Sequence, residues 1–151
     1  MADDPIAPAL RSAALDRLAR REHSRLELSR KLNAKFASPA AELDAVLTRL
    51  EGEGLLSDDR FAAAFTSARA RRGQGPVRIG GELRARGIAP ALIQSALADC
   101  GVNWQELAAL LARQHCRDPG DAKGRARTLN FLRQRGFTGE QIRTALNAAK
   151  D

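Results

Sequence analysis

One segment of this chain is written twice. Residues 82–97 read ELRARGIAPALIQSAL and residues 131–146 read FLRQRGFTGEQIRTAL. At a constant offset of 49, Leu83, Arg84, Arg86, Gly87, Ile93, Ala96 and Leu97 recur as Leu132, Arg133, Arg135, Gly136, Ile142, Ala145 and Leu146. A repeat of this kind means one supersecondary unit used more than once. Its physical content is a helix that ends at a left-handed glycine, a bulky residue (Ile88 or Phe137) that packs back, and a new helix start. A fainter copy lies upstream, where Leu32, Lys35, Pro39, Leu43 and Leu47 follow the same plan with one extra residue and Phe36 stands in place of the glycine. The pattern predicts three tandem three-helix repeats of about 45–50 residues, stacked into an elongated, curved, all-α body. The competing architecture is a single nine-helix globule.

Helix punctuation fills in the plan. Residues 1–9, with two prolines and two acids, read as a flexible tail, and the first helical pattern runs from about Leu10 to Glu22. Ser24 with Glu27, Asn103 with Glu106, and Thr138 with Gln141 have capping-box spacing. Ser38 is expected as an N-cap with Pro39 in the first turn, and Ser57 or Asp58 as the cap of a fourth helix. Pro76 and Pro90 open the fifth and sixth helices, Trp104 lies in the seventh, and Asp118-Pro119-Gly120 breaks the chain before the eighth. The expected boundaries are 1–9 for the tail and 10–56, 57–101 and 102–151 for the three repeats.

Composition narrows the class. Tyr is absent, aromatics are 4% of the residues, and the β-branched residues never cluster, so strands have little to build from. No stretch approaches the roughly 18 apolar residues of a membrane span. The acidic start, Met1-Ala2-Asp3-Asp4-Pro5, has no apolar run behind it and argues against a secretory signal. Two cysteines make no disulfide framework, and a cytoplasmic chain is expected.

No catalytic constellation emerges, and no enzyme, cofactor or metal site is expected. His23 and His115 lie in unrelated segments, and Cys100 and Cys116 have no metal-ligand spacing and read as small core residues. Arg72-Gly73-Gln74-Gly75-Pro76 lacks the Lys-Ser/Thr of a phosphate loop. Gly80-Gly81 suits close helix approach better than phosphate contact, and Asp58-Asp59 is more simply a cap than a metal site. Charge is the informative feature. Lys plus Arg total 25 against 18 acids, a net charge of +7, with the acids concentrated between Glu42 and Asp59. Arg outnumbers Lys by 21 to 4, a bias that genome composition alone can produce. Each expected repeat carries its own basic residues, so stacking would align them into a strip suited to a long polyanion or an acidic filament. The competing reading is an ordinary solvated helix surface. Aromatics do not interleave with the arginines along the chain, which speaks against base stacking on single strands.

These residues together resemble the RecX family, regulators of the RecA recombinase. The resemblance spans about Leu15 to Ala148. It is carried by Leu18-Ala19-Arg20-Arg21-Glu22-His23-Ser24 with Glu27-Leu28 and Lys31-Leu32. It continues through Leu55-Leu56-Ser57-Asp58-Asp59-Arg60-Phe61-Ala62 and Gly75-Pro76-Val77-Arg78-Ile79, and ends in Phe131-Leu132-Arg133-Gln134-Arg135-Gly136-Phe137. His23 stands where the family usually has Tyr, and Phe36 where Gly is common. The resemblance implies a non-catalytic monomer that lies along the RecA–DNA filament. It would inhibit strand exchange and ATP hydrolysis, and so regulate recombination, DNA repair and the SOS response. DNA contact through basic faces is compatible with it. Combined with the recurrence of arginines, it points to Arg21, Arg25, Arg30, Lys31, Arg71, Arg72, Arg78, Arg84 and Arg133 as partner-binding residues. A helical DNA-binding module or transcriptional regulator is the alternative, although no single recognition helix stands out.

Overall fold

The computed structural model describes residues 6–116, 118 and 121–150. Those residues form nine α-helices and no strand: α1 (Ile6–Arg20), α2 (Arg25–Phe36), α3 (Ala40–Gly52), α4 (Asp58–Arg71), α5 (Pro76–Ala85), α6 (Pro90–Asp99), α7 (Trp104–His115), α8 (Ala122–Arg135) and α9 (Gly139–Lys150). Local chemistry explains most boundaries. Ser24 and Glu27 form a reciprocal capping box at α2. Thr138 and Gln141 form another at α9. Ser57, Asn103 and Asp121 accept from the amides of Arg60, Glu106 and Lys123, so each helix start has an orphan donor satisfied. Pro76 and Pro90 occupy first-turn positions, where a missing N–H costs nothing.

Three expectations need correction. Helix α1 begins at Ile6 and ends at Arg20, so residues 6–9 of the expected tail are helical, and residues 1–5 lie outside the described residues. Leu10 and Ala14 are fully buried, and burying that face carries the helix through Pro8 near its first turn. Ser38 does not cap α3: Pro39 takes the N-cap position without a side-chain bond, and the Ser38 hydroxyl is buried with no hydrogen-bond partner. Finally, the helix-ending conformation of the first copy falls on Ala37 (φ 46), not on Phe36. The extra residue lengthens α2 by one position and forces a side chain into a backbone region that disfavours it by about 1 kcal/mol. Pro119 and Gly120 of the expected chain break lie outside the described residues.

The extensive helix contacts fall within consecutive triplets: α1, α2 and α3; α4, α5 and α6; α7, α8 and α9. Each triplet closes around its own apolar cluster, and Leu32, Leu83 and Leu132 are fully buried at matching places in the three. The triplets meet in a repeated way. The glycine that ends the second helix of one triplet is pressed against the start of the second helix of the triplet before it. Gly87 (φ +81) lies on Leu26, where an added Cβ would meet the leucine Cβ at 2.8 Å. Gly136 (φ +96) lies on Arg78, where it would meet Cβ at 2.2 Å and the backbone nitrogen at 2.6 Å. At this second boundary Gly75 donates to the Arg135 carbonyl at 2.7 Å, and Val77 donates to the Gly136 carbonyl at 2.8 Å. The Trp104 ring also crosses it, packing on the second cluster with its indole N–H on the Leu97 carbonyl. The first boundary relies on side chains instead: Asp58 accepts from the Arg25 amide at 2.8 Å, and Arg60 pairs with Glu22 at 2.9 Å.

Both histidines are structural. The buried His23 ring contacts the Arg21 carbonyl through Nδ1 at 3.1 Å and Lys31 Nζ through Nε2 at 3.2 Å. Facing an ammonium, Nε2 must accept, so the neutral Nδ1–H tautomer fits. His115 bonds Thr128 and stacks on Phe131 at 4.3 Å. Cys100 and Cys116 are free thiols at the ends of α6 and α7. Gly80 is buried in ordinary contact with Ile93 and Leu97, as close helix approach requires.

Two measurements check this account. Gly101 also has positive φ (+77) but faces open space, so Gly101→Ala should cost only about 1 kcal/mol in urea unfolding. Gly87→Ala should cost more, and Gly136→Ala most, above about 3 kcal/mol, because backbone strain and the clash add. Equal losses at all three would show that the close approach is unimportant. The second measurement concerns pH. Burial lowers the His23 pKa, and the charges of Arg21 and Lys31 add to that against the opposing Arg21 carbonyl and Glu27. The unfolded chain therefore binds more protons once pH falls below about 6.5, and stability should drop as pH passes from about 7 to 5.5. The urea midpoint of His23→Tyr should be flatter over that range than that of the parent chain; a matching slope would remove His23 from the explanation.

Candidate functional site

The nine arginine and lysine positions picked from sequence divide into two kinds. Arg30, Arg71, Arg72, Arg84 and Arg133 are exposed, and none makes an ion pair or side-chain hydrogen bond with another described group. They are distributed over all three triplets: Arg30 on α2, Arg71 and Arg72 at the end of α4, Arg84 on α5 and Arg133 on α8. These are the groups best placed to meet an external anion.

The other four are engaged within the chain, so they are less free to meet an external anion than their recurrence in the sequence suggests. Arg25 bridges Asp44 and Glu51, tying the start of α2 to α3. Arg78 pairs with Glu82 at 3.6 Å and reaches the Gln134 carbonyl at 3.4 Å across the second boundary. Arg21 sits astride Glu27, with contacts of 3.2 and 3.3 Å from its two terminal nitrogens. Burial pushes the Glu27 carboxyl up, but hydrogen bonds from Arg21 and the Ser24 amide outweigh it and hold the group below the usual carboxylate range. Lys31 is half-buried against His23, and desolvation together with the Arg21 charge lowers its pKa. Sequence reasoning overlooked the capping-box acid Glu27 as a partner for Arg21, although the two lie only six residues apart.

Arg21 and Arg72 come together in a cleft between the first two triplets. It is about 350 Å³ and is lined by Arg21, Glu27, Phe61, Phe65, Ala68, Arg69, Arg72 and Arg86. Two of its arginines were not among the nine. Arg69 and Arg86 lie over the Phe65 ring, with guanidinium carbons 4.6 and 4.7 Å from its centroid. Arg135 lies over Phe131 at 5.0 Å and Lys35 over Phe36 at 5.5 Å. Cations do therefore stack on aromatic rings here, a pairing that the order of residues along the chain does not display. One signal was available: Phe65 with Arg69, and Phe131 with Arg135, are i, i+4 pairs on a helix face. Lys35, Arg86 and Arg135 also hold the same place in the repeat. Arg117, a further basic residue of the third repeat, lies outside the described residues.

Chemically, these surfaces can bind anions. Among the described residues no group of three or more His, Cys, Asp or Glu side chains could hold a metal ion, and no helix is long and apolar enough to cross a membrane.

Comparison with known proteins places these features in a family. Residues 57–97, the second triplet without its last turn, match the second three-helix domain of RecX. The regulatory protein RecX of Pseudomonas savastanoi pv. phaseolicola is 49% identical over 142 residues, covering 93% of this chain and 90% of that protein. The regulatory protein RecX of Halorhodospira halophila is 45% identical over 145 residues, covering 95% and 89%. The crystal structure of RecX from Lactobacillus salivarius superposes with a TM-score of 0.84 over 99% of this chain and 98% of that one, at 21% identity, and so shares its fold. With nearly half of its residues shared over nine-tenths of its length, the chain belongs to the RecX family of regulatory proteins.

Proposed function

We propose that the chain binds the RecA–DNA filament as a monomer in the cytoplasm and restrains strand exchange and the coupled ATP hydrolysis, favouring filament disassembly. The observation that carries this reading is the set of five exposed arginines without partners among the described residues, spread over three triplets that meet through a repeated glycine contact. Family membership supplies the target. In this reading the segments 10–56, 57–101 and 102–151 are three binding units joined in one rigid frame. Each contact is individually weak, because an exposed cation in water gains little from one anion. Joined units raise the effective concentration of every contact once the first has formed. The filament, a repeating protein on a polyanion, offers the repeated partners that such an array needs. DNA phosphates reached through the same arginines would add a salt-dependent share to the binding.

The test is RecA ATPase on single-stranded DNA, with and without this protein, across a salt series. The double variant Arg71→Glu with Arg72→Glu should lose inhibition at least several-fold. Its folding stability should stay within about 0.5 kcal/mol of the parent, because both side chains are exposed and unpaired. Inhibition that persists unchanged at every ionic strength would overturn the role given to these arginines.

A further inference from the structure

The cleft between the first two triplets is more than a local patch of positive charge. Four guanidiniums, those of Arg21, Arg69, Arg72 and Arg86, share it with a single carboxylate, Glu27, whose side chain is only 17% exposed. Arg21 holds Glu27 at 3.2 Å and Arg86 donates to the Glu82 carbonyl at 3.0 Å, but the other two ion pairs of the cleft are loose. Arg86 stands 3.9 Å from Glu27, and Arg69 stands 3.8 Å from Glu82 on α5, both beyond hydrogen-bonding distance. Arg69 spends no N–H on a hydrogen bond, and Arg72 makes no ion pair. Between the arginines, Phe61, Phe65 and Ala68 supply an apolar wall. The site thus offers unspent planar donors beside a small apolar surface.

We propose that this cleft is the docking site for an acidic segment of a protein partner, with a carboxylate seated among Arg21, Arg69, Arg72 and Arg86 and a neighbouring apolar side chain against Phe65 and Ala68. The proposal rests on the filament reading above and names the chemistry of one contact within it. Three features favour a carboxylate over a nucleic-acid backbone. Arg21 already engages the Glu27 carboxylate through both terminal nitrogens, a fork-to-carboxylate geometry. Glu27 stands in the cleft, where a run of successive phosphates would have to pass it, whereas one side-chain carboxylate need not. The Phe65 ring, the only aromatic surface on which a base could stack among the half-buried lining residues, is covered by Arg69 and Arg86. Stacking also holds both guanidiniums in place before any ligand arrives, which reduces the entropy lost on binding. Neither Arg69 nor Arg86 belongs to the exposed, unpaired set, so the cleft can be altered there without touching any of those five arginines.

The probe is a fluorescein-labelled twelve-residue peptide of Asp, Glu and Leu, compared with the same peptide carrying Asn and Gln for its acids and with a labelled twelve-nucleotide single strand. The full-length chain should bind the acidic peptide with a Kd below about 1 mM and the neutral peptide at least tenfold more weakly. Arg69→Gln with Arg86→Gln should weaken the acidic peptide at least tenfold and leave the oligonucleotide within about twofold. Because that pair also packs on Phe65, Arg21→Gln with Arg72→Gln, both exposed, serves as a second variant and should weaken the peptide similarly. Arg30→Gln, outside the cleft, should change nothing. The proposal fails if the acidic peptide does not bind, or if neither cleft variant affects it. It also fails if the oligonucleotide is lost in parallel with the peptide, which would make the cleft a phosphate site. Filament inhibition that survives these variants while Arg71→Glu with Arg72→Glu abolishes it would leave the functional reading standing and remove the cleft from it.

Discussion

The rest of the structure depends on a contact that only glycine can make. At the end of α5 and again at the end of α8, a left-handed glycine lies against the opening turn of the preceding triplet's second helix. A left-handed backbone would by itself be available to Asn or Asp at modest cost. The close approach is not, because any Cβ at Gly136 would stand 2.2 Å from that of Arg78. Gly75, the N-cap of α5, lies against Gly136 in turn, and a Cβ there would stand 2.6 Å from the Gly136 carbonyl carbon. Two glycine backbones in contact leave room for Gly75 and Val77 to donate to Arg135 and Gly136. These amides lie at the start of α5, where a helix has no acceptors of its own to give them. The boundary between triplets therefore completes the helix start, and the helix start fixes the boundary.

The two boundaries use this contact differently. Between the second and third triplets the bonds run backbone to backbone, with Arg135 adding a bond to the Arg72 carbonyl at 2.9 Å. Between the first and second, Leu26 supplies the contact, joined by the Asp58 bond to the Arg25 amide and by the ion pairs of Arg60 with Glu22 and Arg86 with Glu27. Exposed pairs are screened and individually weak. The arginine-lined cleft opens at that first boundary, where charges are already concerned with joining the triplets. The spread of exposed arginines follows from the same geometry, since Arg84 and Arg133 each lie three residues before the glycine that sets the relative position of their triplets.

Helix type, number and order were legible because capping residues and glycines mark both ends of nearly every element. Leu83 with Leu132 and Gly87 with Gly136 also carry the repeat at fixed spacing. What local signals do not contain is tertiary compensation. Ile6 to Ala9 are helical because Leu10 and Ala14 are buried beyond them, and Ala37 takes a left-handed turn because one extra residue had to be absorbed. The candidate surface was legible as charge but not as pairing. Arg25 meets Asp44 and Glu51 from 19 and 26 positions away, and no local pattern announces such partners. Arg86 over Phe65 is equally non-local. The glycines are legible as left-handed helix ends, and their second role against the neighbouring triplet appears only when the triplets are placed side by side.

Native-state hydrogen exchange at the Gly75 and Val77 amides tests the central claim most directly. Neither amide has an acceptor within its own triplet, and each donates only across the boundary, at 2.7 and 2.8 Å. If the triplets form one frame, both amides should exchange as slowly as those of the buried α5 core around Ile79 and Leu83, with opening energies close to that of global unfolding. Exchange at the rate of an unprotected loop, while Ile79 and Leu83 remain protected, would mean that the triplets are joined only loosely and that the account of a fixed array is wrong.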